Sequence, residues 1–279
     1  MSSFGYKIID SSRAELEPIV ASALALGTPV EVGLYTGDGE SFAFLEESLR
    51  ESGLPVVVHL DHRRLGLFGL ERREAALREQ LGQAVRLGAR DVITHCSPYP
   101  MTVRRERQAE VLTHLLGGLK VAVAACADHA LGLHIENTYH DLSFYRSLFQ
   151  AITSAELDGV DFCFDIGHAK LWSTRTLAEW MGLLRDFDLA GRRIHFHLHA
   201  NGGLQDDHLS FLTADHLGLS TADAFTAPGD YYQALAQIAE SFPSSLKVFE
   251  VPASEAIENR THVIKRIAAY ATTAINHQI

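Results

Sequence analysis

The chain has 279 residues, 47% hydrophobic and 21% charged, a globular composition with enough length for one large domain. Its 24 Lys and Arg against 35 Asp and Glu give a formal net charge of −11, which disfavours polyanionic partners such as nucleic acid or an anionic membrane. The opening MSSFGYKIIDSSRAELEP has no basic end followed by an apolar stretch, and no apolar run reaches the length that spans a bilayer. Three cysteines without paired spacing, Cys96, Cys126 and Cys163, fit a reducing compartment. A soluble, cytoplasmic chain is expected.

Along the chain, short β-rich runs alternate with helical patterns. Strands are expected at 5–10 (GYKIID), 29–37 (PVEVGLYTG), 54–61 (LPVVVHLD) and 91–98 (DVITHCSP). Four more are expected at 132–138 (GLHIENT), 161–168 (DFCFDIGH), 192–201 (RRIHFHLHAN) and 246–252 (LKVFEVP). Between them, 13–27, 40–53, 71–90, 105–130, 177–187 and 230–242 repeat apolar residues at three- and four-residue spacing, and several end in Gly. Strands alternating with helices imply βαβ units and a parallel sheet, and eight such units match an α/β fold of the closed (β/α)8, or TIM, barrel type. The expectation is one domain over 1–279. A doubly wound open sheet is the alternative, weakened because no G-x-G-x-x-G follows an early strand. The segment 202–230 reads as one long loop at the C-terminal face, where barrel active sites are built.

The titratable residues cluster where strands end. His59 closes VVVH, His95 closes VITH, Glu136 closes LHIE, and Asp165 closes FCFD with His168 three residues on. His197 lies in HFHLH, Asp206 and His208 follow it, and Glu250 closes KVFE. Burying imidazoles and carboxylates together is costly unless they are paired or bind a cation. A divalent metal answers that cost, with Zn, Mn, Co or Fe suited to mixed imidazole and carboxylate ligands and Mg or Mn to oxygen-rich sets. Each residue also has a plainer role open to it. His59 and His95 would serve as polar pocket lining, and Asp206 and His208 as solvated loop or cap residues. Cys96 and Cys163 read as small buried hydrophobes. His62, His140 and His216 read as surface or rim, and Asp207 is the fallback if the loop register shifts by one.

In RIHFHLHAN the three histidines share one strand face, with about 7 Å between alternate positions. His195 is expected deepest, filling a barrel layer. His197 is expected level with Glu136, Asp165 and Glu250 as a metal ligand, and His199 at the rim.

VVVHLD, ITHCSP, HIENT, FDIGHA, HLHAN, DDH and FEV, running from about residue 54 to 252, resemble in order and spacing the strand-end motifs of the xylose isomerase-like TIM barrels. That superfamily holds sugar and sugar-phosphate isomerases and epimerases of carbohydrate metabolism and also endonuclease IV (AP endonuclease family 2). The resemblance to the epimerases implies one divalent metal (Mn, Mg, Co or Zn) on Glu136, Asp165, His197 and Glu250. It also implies proton transfer by the two glutamates through a metal-bound enediolate, and His168 on the substrate. The resemblance to endonuclease IV implies up to three Zn, with His59, His95 and a bridging Glu136 on a second, and His168, Asp206 and His208 on a third. A phosphoester or amide hydrolase is therefore the alternative reading, and a non-catalytic metal- or ligand-binding barrel a further one.

The departures point away from DNA. Ala200 stands where many relatives have Asp, and a long insert follows DDH. VEVGLYTGDGESF lacks the basic and aromatic segment with which the endonuclease grips DNA. The expected partner is a small polar substrate, with no nucleic acid or membrane, and homo-oligomerisation is left open.

Overall fold

All eight expected strands form, each shorter than the run that marks it. They are β1 (Phe4–Ile8), β2 (Val30–Gly33), β3 (Val56–His59), β4 (Asp91–His95), β5 (Gly132–Glu136), β6 (Val160–Asp165), β7 (Ile194–Leu198) and β8 (Lys247–Phe249). In the computed structural model they pair in parallel and in chain order, and β8 closes on β1. The sheet is a closed (β/α)8 barrel, and the open doubly wound alternative is set aside. The structure describes residues 4–9, 12–35, 39–219, 225–226 and 230–276, the side chains of 271–276 excepted.

The expected helices appear as α1 (Arg13–Leu26), α2 (Gly39–Leu49), α4 (Glu74–Arg86), α5 (Gln108–Asp128), α8 (Leu177–Leu189) and α10 (Tyr231–Ser241). The reading of periodicity leaves out the short α3 (His62–Leu65), α6 (Leu142–Ser154), α7 (Ile166–Trp172), α9 (Phe211–His216) and α11 (Ala256–Asn276). Two corrections bear on the site. The run DFCFDIGH is not one strand: β6 stops at Asp165, whose carboxylate accepts from the His168 amide at 2.7 Å and so caps α7. The segment 202–230 is not one irregular loop either, since Ala200 and Leu209 bridge and α9 follows. Its residues 220–224 and 227–229 lie outside the described residues.

Strand alternation sorts the side chains into two compartments. Val56, Val58, Val92, Ile135, Phe162, Phe164, Phe196 and Phe249 join the main core with the helices. Each large side chain buried there contributes about 1.5–3 kcal/mol. Val57, Ile93 and Cys163, on the other face, form a separate small cluster that plugs the barrel. Polar side chains lie above and below that plug. One helical stretch, Arg105–Asp128, is long and apolar enough by length and composition to cross a membrane, which corrects the expectation of no such run. Its Val111, Leu115, Leu119, Ala122 and Cys126 are buried in the barrel's core.

Candidate metal centre at the barrel mouth

Glu136, Asp165 and His197 end or nearly end β5, β6 and β7, and Glu250 directly follows β8, so the closed barrel aims all four at one point. One ligand atom from each lies within 4.8 Å of all the others. His197 sets the geometry. Its Nε2 meets Glu31 Oε2 at 2.9 Å, while its Nδ1 faces Glu250 Oε2 at 3.1 Å, Glu136 Oε2 at 3.3 Å and Asp165 Oδ2 at 3.8 Å. With the proton on Nε2 donated to Glu31, the Nδ1 lone pair points at three carboxylate oxygens. His197 Nδ1 and Asp165 Oδ2 are buried with no hydrogen-bond partner among the described residues. Lone pairs converging in a dry site repel, and either a proton or a cation relieves them.

Burial opposes the charge on each carboxylate, yet the neighbours overcome it. His197, His95 and His168 hold Glu136 well below the usual carboxylate range, and Lys7, His208 and His197 do the same for Glu250. His168 and His199 lower Asp165. Burial likewise opposes protonation of His197, but Cys163, Glu31 and Glu136 hold its pKa well above the ordinary value. A buried set of three ionised carboxylates and one imidazole, whose Nδ1 proton a metal displaces, fits a divalent cation of the Zn, Mn, Co or Mg kind.

Two residues that the sequence reading misses sit beneath this set. Lys7 of β1 is buried, with Nζ 2.7 Å from Glu250 Oε2 and 3.2 Å from Glu31 Oε1. Glu31 Oε2 accepts from both His195 Nε2 at 2.8 Å and His197 Nε2 at 2.9 Å. His195 is deep, as expected, but it is anchored by this carboxylate as well as packed. Orientation of a ligand histidine by a second carboxylate is a common device of metal sites.

A second group, His59, His62 and His95, stands on one side. His59 Nδ1 bonds the Leu60 carbonyl at 2.8 Å, which turns Nε2 to Glu136 Oε2, also at 2.8 Å; His95 Nε2 lies 3.2 Å from the same oxygen. Burial lowers His95 to about 4, against the pull of Glu136. His62, expected at the rim, stacks on His95 with ring centroids 4.0 Å apart, and burial together with His95 and His59 lowers it to about 2.

On the other side lie His168, His199, Asp206 and His208. His168 Nδ1 meets the Asn137 carbonyl at 2.8 Å and Glu136 Oε1 at 3.1 Å, and its Nε2 meets Asp206 Oδ2 at 3.1 Å. His208 Nε2 reaches the same Asp206 oxygen at 2.9 Å. Burial opposes the charge on His208, but Glu250 and Asp206 raise it to about 9. Asp206, rather than Asp207, faces these histidines. His199 is a correction: it is fully buried, bonded to Asp165 Oδ1 at 3.1 Å and stacked on His208 at 4.3 Å. Gly167 makes room for it, because a Cβ there would come 2.0 Å from His199 Cε1. The DIGH motif therefore carries a signal for His199. His208 takes a φ of 47°, a left-handed conformation uncommon outside Gly and found at ligand-handling sites.

His140 is a further correction, buried against Phe144 at 4.2 Å rather than exposed; His216 is exposed as expected. Cys96 and Cys163 are buried, and burial pushes the Cys96 thiol to about 12. Cys163 also forms a group with His195 and His197 below the centre. Above the centre is a chamber of about 90 Å³, walled by Tyr35, Tyr139 and Trp172. It adjoins an outer one of about 350 Å³, lined by Ile9, Tyr35, Arg63 and Val251 among others.

No protein-family model matches the chain, and no curated protein matches it. Solved structures do. A protein from Thermus thermophilus, soaked with zinc chloride, is 20% identical at a TM-score of 0.69, covering 96% of this chain and 98% of its own. A D-tagatose 3-epimerase-like protein is 18% identical at 0.67, covering 96% of this chain and 99% of its own. The IolI protein with a zinc atom is 12% identical at 0.63, with coverage of 96% and 99%. These likenesses show the fold, a closed (β/α)8 barrel.

Proposed function

We propose that the protein is a divalent-metal-dependent isomerase or epimerase of a sugar or sugar-like hydroxy-carbonyl compound. The observation that carries this reading is the placement of two glutamates, Glu136 and Glu250, in one buried set with Asp165 and His197 at the floor of a chamber. Those four residues would hold the cation, which when bound acts as a Lewis acid that polarises a carbonyl and acidifies the adjacent C–H.

The remaining chemistry belongs to the chain. Glu136 from β5 and Glu250 after β8 flank His197 and Asp165, so a substrate seated between them presents one face to each carboxylate. One carboxylate oxygen takes the proton from the carbon beside the carbonyl, and the C–H electron pair moves toward the carbonyl oxygen. The other returns a proton, to the opposite face for epimerisation or to the neighbouring carbon for isomerisation. His168 donates to a substrate oxygen, in a chamber whose aromatic walls exclude water from the exchanging proton. The likeness in fold to a D-tagatose 3-epimerase-like protein supports the same class of reaction.

A second reading, a multinuclear hydrolase, draws support from the two flanking groups at His59 and His95 and at His168, Asp206 and His208. Metal content of chelator-free protein separates the two. About one divalent ion per chain favours the isomerase, three zinc ions favour the hydrolase, and none sinks both. Solvent deuterium incorporation into candidate ketoses then tests turnover, and its absence across ketoses leaves a binding protein.

A further inference from the structure

Several arginines in this acidic chain pair with carboxylates: Arg78 with Glu74 and Asp128, Arg86 with Glu46 and Arg107 with Glu110. Arg63, Arg64, Arg72 and Arg73 depart from that pattern. None has a carboxylate within ion-pair distance among the described residues, and all four line one hollow of about 470 Å³ whose remaining walls are Leu65, Ala75 and Ala76. The two arginine pairs lie on α3 and on the 3-10 turn Leu70–Arg73, which pack together.

Three nearby acids have other partners, while Asp61 and Glu79 line a neighbouring hollow with Arg64. Glu71 lies against Gly117 of α5, Glu74 pairs with Arg78, and the Asp61 carboxylate caps α3 by accepting from the Arg63 amide at 3.2 Å. Two of the four arginines are held in place. Arg73 donates to the Arg64 carbonyl, and the Arg63 guanidinium sits 6.0 Å from the centre of the Tyr35 ring. Four like charges around an apolar-walled hollow repel one another. A multiply charged anion removes that repulsion and satisfies guanidinium forks in their preferred two-pronged geometry.

Arg63 lines both this hollow and the outer chamber, the latter together with Tyr35, His208 and Glu250. Resting on the isomerase reading, we propose that Arg63, Arg64, Arg72 and Arg73 form a phosphoryl subsite. A substrate whose reacting hydroxy-carbonyl end sits over Glu136 and Glu250 would place its distal phosphate there. This flank follows β3, whereas barrels often bind phosphate after strands 7 and 8.

Two measurements test the subsite. In the first, full-length protein freed of divalent metal and desalted is titrated calorimetrically with inorganic pyrophosphate. Saturable 1:1 binding is expected, weakened about tenfold or more in Arg72→Ser/Arg73→Ser, with a retained far-UV circular dichroism spectrum confirming the variant's fold. No saturable binding, or equal affinity in the variant, overturns the subsite. So does tighter binding of a DNA duplex than of pyrophosphate, which reassigns the arginines to nucleic acid. The second compares metal-loaded wild type and variant in solvent deuterium exchange on a ketose and its terminal phosphate ester. The preference for the ester is expected to fall about tenfold in the variant, through KM rather than kcat; an unchanged preference overturns the assignment. If neither ketose exchanges, the isomerase reading fails while the pyrophosphate titration still decides the subsite.

Discussion

The two ends of the barrel bury ionisable groups in opposite ways. At the N-terminal end, Arg193 Nη2 meets Asp91 Oδ1 at 2.7 Å and Asp161 Oδ2 at 2.6 Å, and the Arg193 amide meets Asp161 Oδ1 at 2.8 Å. His134 approaches Asp91 at 3.6 Å. That cluster holds a permanent cation between two carboxylates, so Asp91 Oδ1, which has no hydrogen bond of good geometry, still has its charge paired by Arg193. At the C-terminal end, Glu31, Glu136, Asp165 and Glu250 gather around Lys7 and histidines, and His197 Nδ1 and Asp165 Oδ2 are left without hydrogen-bond partners among the described residues. The same barrel thus holds one ionic cluster whose carboxylates are paired by a permanent cation and one in which several carboxylates face a single imidazole nitrogen. The second has the character of a site.

Breaking the mouth should affect chemistry more than folding. Glu136→Gln and Glu250→Gln, measured by deuterium exchange into substrate, are each expected to lower turnover by about 10²–10⁴-fold. Exchange persisting in the double variant would end the proton-transfer assignment. The next effect in size is metal removal. A cation present at about a hundred times its dissociation constant stabilises the fold by about 2.7 kcal/mol. The urea midpoint should fall on chelation in the wild type and move little in His197→Ala, which has lost a ligand. Equal shifts in both proteins would place the cation elsewhere.

How much of this contrast the sequence carries depends on separation along the chain. Glu136, Asp165, His197 and Glu250 were legible because each closes an apolar strand, and parallel strands in a barrel bring their ends together. Lys7 and Glu31 were not, because they look like ordinary polar residues in short strands. Only closure of β1 and β2 against β7 and β8 carries Glu31 to His197, 166 positions away. His199, expected at the rim, is buried for a local reason, and the contact of His62 with His95 has the same origin. A strand pattern says nothing of how the chain turns after its last residue, and here α3 returns His62 over His95 while the Ala200–Leu209 bridge folds His199 inward. The four arginines are plain in HRRLGLFGLERRE, but their shared hollow depends on the packing of two turns.

At the N-terminal end the expected effects are smaller and fall on stability. Arg193→Met leaves Asp91 and Asp161 without their cation. It should lower unfolding free energy by about 1–2 kcal/mol, below the range for a fully buried pair because its side chain is 57% exposed. Burial opposes the charge on Asp91, but His134 and Arg193 hold its carboxyl well below the usual range. Its folded pKa lies below the unfolded one, so its stabilisation is present above the normal aspartate range and lost as pH falls through the folded value. Acid unfolding of Arg193→Met should therefore begin at higher pH than in wild type, with metal affinity unchanged. A loss of metal affinity would show that the two ends are coupled.

The last expected effect separates both ends from the general acid sensitivity of the fold. Burial lowers His140 from 6.5 to about 4, its Nε2 has no partner among the described residues, and its ring stacks on Phe144. The unfolded chain binds a proton in a range where the folded chain does not. The resulting stabilisation is complete above about pH 6.5, declines as pH falls toward 4, and changes no further below that. His140→Phe keeps the stacking and removes the titration. Between pH 6 and 4.5, the slope of unfolding free energy against pH in metal-free protein should be shallower than in wild type by up to about 1.4 kcal/mol per unit. Identical slopes would return that acid sensitivity to the mouth, where protons take the place that the geometry of His197 and Asp165 offers to a cation.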